Sequence, residues 1–310
     1  MTFEKSIEKY ITNRSSRLAP QSLRTYRYNL EKFSRWLGEI DLKDVTDDHV
    51  DGFLAYLVGK LTEKTRENYA ITLRAFFKHW NIKHQSKVAW ELILSPRVPE
   101  KFPDFISREQ FELIDDCFDE DEYYQLTKKV IVHMLWNTGM RISELLNLNL
   151  NDIHVQKNYA YVTTLKSGKL RMVMWNDECH RLLIKYLGIR ISLNKREELF
   201  QTPENPKHRR RRARLTPRTV QRWCQELQEF LGFRIHPHAF RHGKLHEILN
   251  SGGTRHHVQT VAGHSSITSS EIYTRLNLTE QSKLLTRFLP KDKKPRHKLP
   301  MVDNSMRFAA

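Results

Sequence analysis

The stretch VAGHSSITSSEIYTRL, Val261 to Leu276, places His264 and a Ser-Ser pair ahead of a single tyrosine, Tyr273. A phenol with a pKa near 10 is a weak nucleophile at neutral pH, and neighbouring cations favour its reactive, ionised form. The plain reading is a helix capped by Ser266 or a neighbour, followed by a half-buried aromatic. Upstream, HPHAFRHG sets His238 three residues before Arg241, so both lie on one face of a helix, with His242 facing elsewhere. MRISELLNL pairs Arg141 with Glu144 at the same spacing, which in isolation reads as a surface ion pair. Guanidinium groups are lasting cations whose planar donors fit anionic oxygens. A phenol, two guanidinium groups and several imidazoles suit nucleophilic attack on an anionic ester. Each also has a structural use, and the residues alone leave both open.

A second feature is NPKHRRRRARLTPRTVQRW. Lys207, Arg209, Arg210, Arg211, Arg212, Arg214 and Arg218 crowd together there without an acid. Such a run is either a solvated loop or a strip that tracks phosphates. Thr216 and Pro217 fit the cap and first position of a helix, whose positive end would favour a phosphate.

The composition agrees with a polyanionic partner. In 310 residues, 52 are Lys or Arg and 36 are Asp or Glu, a formal charge of +16. Charge on this scale steers association with DNA, RNA or acidic surfaces. The length allows two domains with separate cores. No apolar run is long enough to span a bilayer, so no membrane partner is expected. Cys117, Cys179 and Cys224 are sparse, odd in number and without metal-site spacing. The chain reads as reduced and intracellular, cytoplasmic and nucleoid-associated.

The elements that must position these groups are mostly helical. SLRTYRYNLEKFSRWLGEI, DDHVDGFLAYLVGK and TEKTRENYAITLRAFFKHW carry apolar stripes at three-and-four spacing, such as Leu30 with Phe33 and Leu73 with Phe76, Phe77 and Trp80. SPRVPEKFPDF, with Pro96, Pro99 and Pro103, reads as a linker. Ser107 with Gln110 forms a capping-box pattern that opens the next helix. YYQLTKKVIVHMLWNTGMRISELLNLNL reads as a helix broken at Thr138-Gly139 and a second helix, and YAYVTTLKSGKLRMVMW as a β-hairpin. Helical segments follow to about Leu289, and the basic tail beyond is turn-rich. The spans are a helical domain over 1–95, a linker over 96–104, a second domain over 105–290 and a tail over 291–310.

In this order the segments resemble the tyrosine recombinases, the phage-integrase and Xer-type enzymes. WNTGMRISELLNL resembles their first arginine box, TLKSGKLRMV their catalytic hairpin, HPHAFRHG their His-x-x-Arg-His box and VAGHSSITSSEIYTRL their nucleophile box. The resemblance covers residues 105 to 289. It implies an all-α core-binding domain followed by a mainly α catalytic domain with a small antiparallel sheet. The helical first hundred residues resemble the core-binding domain in pattern.

What the resemblance implies for chemistry is specific. Tyr273 would attack a DNA phosphodiester and form a 3′-phosphotyrosyl link. Arg141 and Arg241 would grip the nonbridging oxygens, and Lys166 would protonate the leaving 5′-oxygen, with Lys169 as the competing lysine. His238 and His264 would serve the nucleophile and the phosphate, while Glu144 and His242 would be structural. The scheme uses no cofactor and no metal. Its partner is double-stranded DNA carrying inverted-repeat-like core sites. The family's C-terminal helix, matched by NLTEQSKLLTRFLP with Leu278, Leu284, Leu285 and Phe288, implies a homotetramer on paired sites. A second recombinase as heteromeric partner stays open, as does the choice between Xer-like dimer resolution and mobile-element integration or excision. The rivals are a type IB topoisomerase and a DNA-binding protein without activity.

Overall fold

A computed structural model describes residues 1–99, 102–164, 168–193, 196–202 and 213–263. The chain divides into two compact units, Met1–Lys101 and Phe102–Ala310. Among the described residues, no helix is long and apolar enough to cross a membrane.

The first unit is helical: α1 (Phe3–Arg14), α2 (Pro20–Leu37), α3 (Asp47–Tyr56) and α4 (Glu63–Ile82). The last three are the helices that the apolar spacing predicts. Pro20 starts α2, where its missing N–H costs nothing. The sequence reading assigns no element to α1, although Phe3, Ile7, Tyr10 and Ile11 bury one stripe of it. Aromatic rings fill the core. Phe3 meets Phe33 edge-on at 5.3 Å and Phe76 at 5.2 Å between centroids, a geometry that suits ring quadrupoles. The buried Asn29 amide donates to Thr72 Oγ1 at 3.0 Å and stitches α2 to α4.

The second unit is built around α6 (Tyr123–Thr138), which buries residues on most of its faces, among them Leu126, Val130, Ile131, Met134 and Leu135. Before it comes α5 (Arg108–Asp115), opened by the Ser107–Gln110 capping box. After it, α6 ends at the left-handed Gly139, and α7 (Ile142–Leu146) begins with Arg141 as its cap. The sheet is antiparallel, in the order β1 (Ile153–His154), β2 (Tyr159–Thr163), β3 (Leu170–Met174). The hairpin register pairs Tyr161 with Met172 and Thr163 with Leu170. Then follow α8 (Asp177–Leu193), α9 (Pro217–Leu231), α10 (Pro237–Asn250) and α11 (Arg255–Ala262). Thr216 caps α9 and Pro217 is its first residue, as the sequence predicts. The two-unit, mostly helical architecture with a small antiparallel sheet matches the expected fold class.

The placement of α10 depends on one close approach. The Ile106 N–H donates to the Ala239 carbonyl at 3.1 Å, which lays the entering chain across α10. At that crossing a Cβ on Gly243 would lie 2.2 Å from the Ile106 carbonyl oxygen and 2.6 Å from Trp136 Cζ3. Only glycine fits without moving the backbone. Gly243→Ala therefore costs about 1–3 kcal/mol or more through overpacking. The control is Gly188→Ala in α8, where nothing lies within 4 Å of the new Cβ and the expected change is a gain of about 0.5–1 kcal/mol. Urea unfolding of the two variants measures both.

Candidate active site

The site is assembled by one turn and one helix. The left-handed residue that ends α6, Gly139, has φ +60°, a conformation that costs a side-chain-bearing residue about 1–2 kcal/mol. This turn points the Gly139 carbonyl at α10, where Arg241 Nη1 donates to it at 2.6 Å. Arg241 Nη2 donates to the Ala262 carbonyl, in the last turn of α11, at 2.7 Å. The arginine is 2% exposed. It rests at the negative C-terminal ends of two helices, which favours a cation. By sequence, Gly139 lies two residues before Arg141 and Ala262 two before His264.

Arg141 is held by the helix it caps. Its backbone N–H donates to Glu144 Oε2 at 2.9 Å and its Nη1 to Glu144 Oε1 at 2.9 Å. The plain sequence reading of a surface pair does not hold for the carboxylate. The Glu144 side chain has no exposure, while Arg141 keeps 28%. A second cation shares Glu144: Arg171 Nη2 donates to Oε2 at 2.9 Å. Burial pushes the Glu144 carboxyl up, but the bonds from Arg171 and Arg141 outweigh it and hold the group below the usual glutamate range.

His238 and Arg241 leave the same turn of α10, and the His238 ring lies 6.2 Å from that of His242. His238 is open to solvent on one side, yet its pKa is lowered. Desolvation by the protein around it is the main cause; the positive charge of Arg241, His236 and Arg141 adds to it and Glu144 opposes it. A lowered pKa leaves the ring neutral at pH 7, able to accept a proton. His236 caps α10, its Nδ1 accepting from the Ala239 N–H at 3.2 Å.

The other expected site residues separate into three groups. Lys169 is exposed just before β3, and its carbonyl accepts from the Thr164 N–H at 2.8 Å. Arg218 is exposed in the first turn of α9. Arg214, of the expected phosphate strip, is partly exposed and bonded within the domain. Its Nη1 donates to the Leu146 carbonyl at 2.9 Å and its Nη2 to Asn149 Oδ1 at 2.7 Å. These bonds tie it to the segment after α7. Lys166, His264, Tyr273, Lys207, Arg209, Arg210, Arg211 and Arg212 lie outside the described residues, as do Leu278, Leu284, Leu285 and Phe288.

Arg171 has no role in the sequence reading. The signal for it lies in the strand alternation. Leu170, Met172 and Met174 are exposed, so Arg171 takes the inward face with Val173. An arginine on a core-facing strand position needs a buried anion.

The depressed Glu144 pKa has a consequence for stability. Below the 4.5 of an unperturbed glutamate, the unfolded chain takes up a proton that the folded chain refuses. This contribution is complete above pH 4.5 and is lost as pH falls through the lower, folded value. Glu144→Gln should therefore be less stable than wild type at neutral pH, with the gap in Tm narrowing as the pH falls below 4.5.

Residues 105–280 match the phage integrase family, and residues 8–83 match the phage integrase N-terminal SAM-like domain. A tyrosine recombinase of Thermosipho africanus is 27% identical over 276 residues, covering 86% of this chain and 92% of the relative. Tyrosine recombinase XerC of Myxococcus xanthus is 29% identical over 264 residues, covering 83% and 88%. Among solved structures, XerH site-specific recombinase bound to palindromic difH substrate, in a post-cleavage complex, aligns with a TM-score of 0.70 at 22% identity. That alignment covers 90% of this chain and 83% of the other.

Proposed function

The chain belongs to the phage integrase family, as a tyrosine recombinase that cleaves and rejoins DNA at specific sites, and on that premise we propose how its side chains divide the work. The Tyr273 hydroxyl attacks a DNA phosphodiester. A bond forms between phosphorus and the phenolic oxygen, and the bond to the 5′-oxygen breaks. The products are a 3′-phosphotyrosyl link and a free 5′-hydroxyl. Religation reverses the step on another strand, and the conserved bond energy makes ATP unnecessary.

One observation carries the assignment of the cations. The Gly139 turn holds the Arg241 guanidinium at 2.6 Å and lies two residues before Arg141, so two arginines from distant parts of the chain meet at one turn of the backbone. Charge gathering on the nonbridging oxygens is best met by fixed cations that need no reorganisation. Arg141 donates from its exposed edge, and Arg241 holds its charge in a fixed position below. His238, neutral at pH 7, accepts the phenolic proton, and Lys166 gives one to the 5′-oxygen. His264 donates to the phosphate.

The DNA is duplex with inverted-repeat core sites. The +16 charge supports this, as does the palindromic substrate of the XerH relative. The helical residues 1–95 grip one side as a core-binding domain, residues 96–104 link it to the catalytic domain over 105–290, and the tail follows. Four protomers act on two duplexes. Relatives similar to this chain carry recombinase and XerC names, which supports Xer-like resolution of DNA dimers as its role.

Nicked suicide substrates test the chemistry. Wild type should form a denaturation-resistant adduct without ATP. Tyr273→Phe should form none while binding DNA with nearly unchanged affinity; an adduct from this variant would contradict the reading. Lys166→Ala should cleave at least about 10²-fold more slowly, with the loss largely restored by a 5′-thio leaving group that needs no acid. Rescue of Lys169→Ala instead would move the acid to that lysine.

A further inference from the structure

Arg171 touches three parts of the candidate site and is not itself one of its expected groups. Its Nη2 reaches Glu144 Oε2 at 2.9 Å, and its Nη1 reaches Thr164 Oγ1 at 3.3 Å. Thr164 is the residue before the hairpin segment that contains Lys166. A Cβ on Gly263, the residue before His264, would lie 3.1 Å from Arg171 Cδ and 3.2 Å from its Nε. The Arg171 side chain is 10% exposed and the Glu144 side chain not at all. Two guanidinium groups and one carboxylate thus sit together with a net charge of +1.

That count matters. A buried carboxylate paired with one arginine neutralises it. Paired with two, it leaves one positive charge over. Arg171 is the more enclosed of the two cations, and Arg141 the more exposed, at 28%, so the surplus faces outward through Arg141. We propose that Arg171 is a positioning residue for strand cleavage: it takes up the Glu144 carboxylate from behind, so that Arg141 is held by Glu144 without being neutralised. The inference rests on the proposed role of Arg141 at the scissile phosphate. A purely structural strut would make the same contacts but would give the charge count no kinetic meaning.

Single-turnover adduct formation by the full chain on a nicked suicide substrate separates the two. Arg171→Gln brings the cluster to zero charge and should slow adduct formation about tenfold or more, with DNA affinity close to wild type. Arg171→Gln combined with Glu144→Gln returns the cluster to +1 and should recover most of that loss. A strut predicts the opposite, with the double variant slower than Arg171→Gln alone. An unaffected Arg171→Gln, or a double variant slower than it, overturns the proposal. Should Arg171→Gln fail to fold, Arg171→Lys carries the test. It keeps the charge, gives up the Thr164 bond, and should stay within about threefold of wild type; a tenfold loss counts against the proposal. If wild type forms no adduct, the reading of Arg141 fails first, and the inference falls with it.

Discussion

A carboxylate with no solvent exposure cannot stand alone, and the candidate site follows from how Glu144 is satisfied. Removing an ion from water costs several kcal/mol, on the order of magnitude that decides whether a domain folds. Glu144 meets this with Arg141 from its own helix and Arg171 from β3. The same bonds fix the start of α7, the seating of the hairpin against it, and the direction in which Arg141 faces. A mostly helical unit thereby gains a reason to carry a sheet. The strand brings a second cation to a buried anion that the helices cannot satisfy alone.

Arg241 plays the matching part on the other side. It is buried, and backbone carbonyls at two helix ends accept from its guanidinium. These bonds fix the orientation of its guanidinium. Gly139 permits this by turning left-handed where α6 stops, and Gly243 by letting α10 lie close against Ile106 and Trp136. Packing and chemistry share these positions. A change in how α10 seats would move Arg241 and His238 together, because both leave the same helix turn.

Much of this was legible in the residues. The capping box at Ser107, the break at Thr138-Gly139, the hairpin and the Thr216-Pro217 start of α9 all follow from local rules of capping and turns, which act over a few residues. The arginines Arg141 and Arg241 could be singled out by type and context. What the sequence does not display is long-range pairing. Arg214 looks like part of a basic strip, and only the fold shows that the carbonyls of Leu146 and Leu148 take it. Arg171 is hidden because its partner is 27 residues away, and nothing in local spacing connects them. The helix α1 escaped because its apolar stripe is short and lies between charged residues.

The central claim is that Arg141 serves the charge on a scissile phosphate. The most direct measurement is the single-turnover cleavage rate of wild type and Arg141→Ala on two substrates, one with an ordinary phosphodiester and one with a neutral methylphosphonate at the cleavage position. A neutral centre gathers less charge in the transition state, so the value of a fixed cation falls. The account predicts a loss of about 10²-fold or more for Arg141→Ala on the phosphodiester and a much smaller one on the methylphosphonate. Equal losses on both would contradict it and would leave Arg141 as a structural cap of α7.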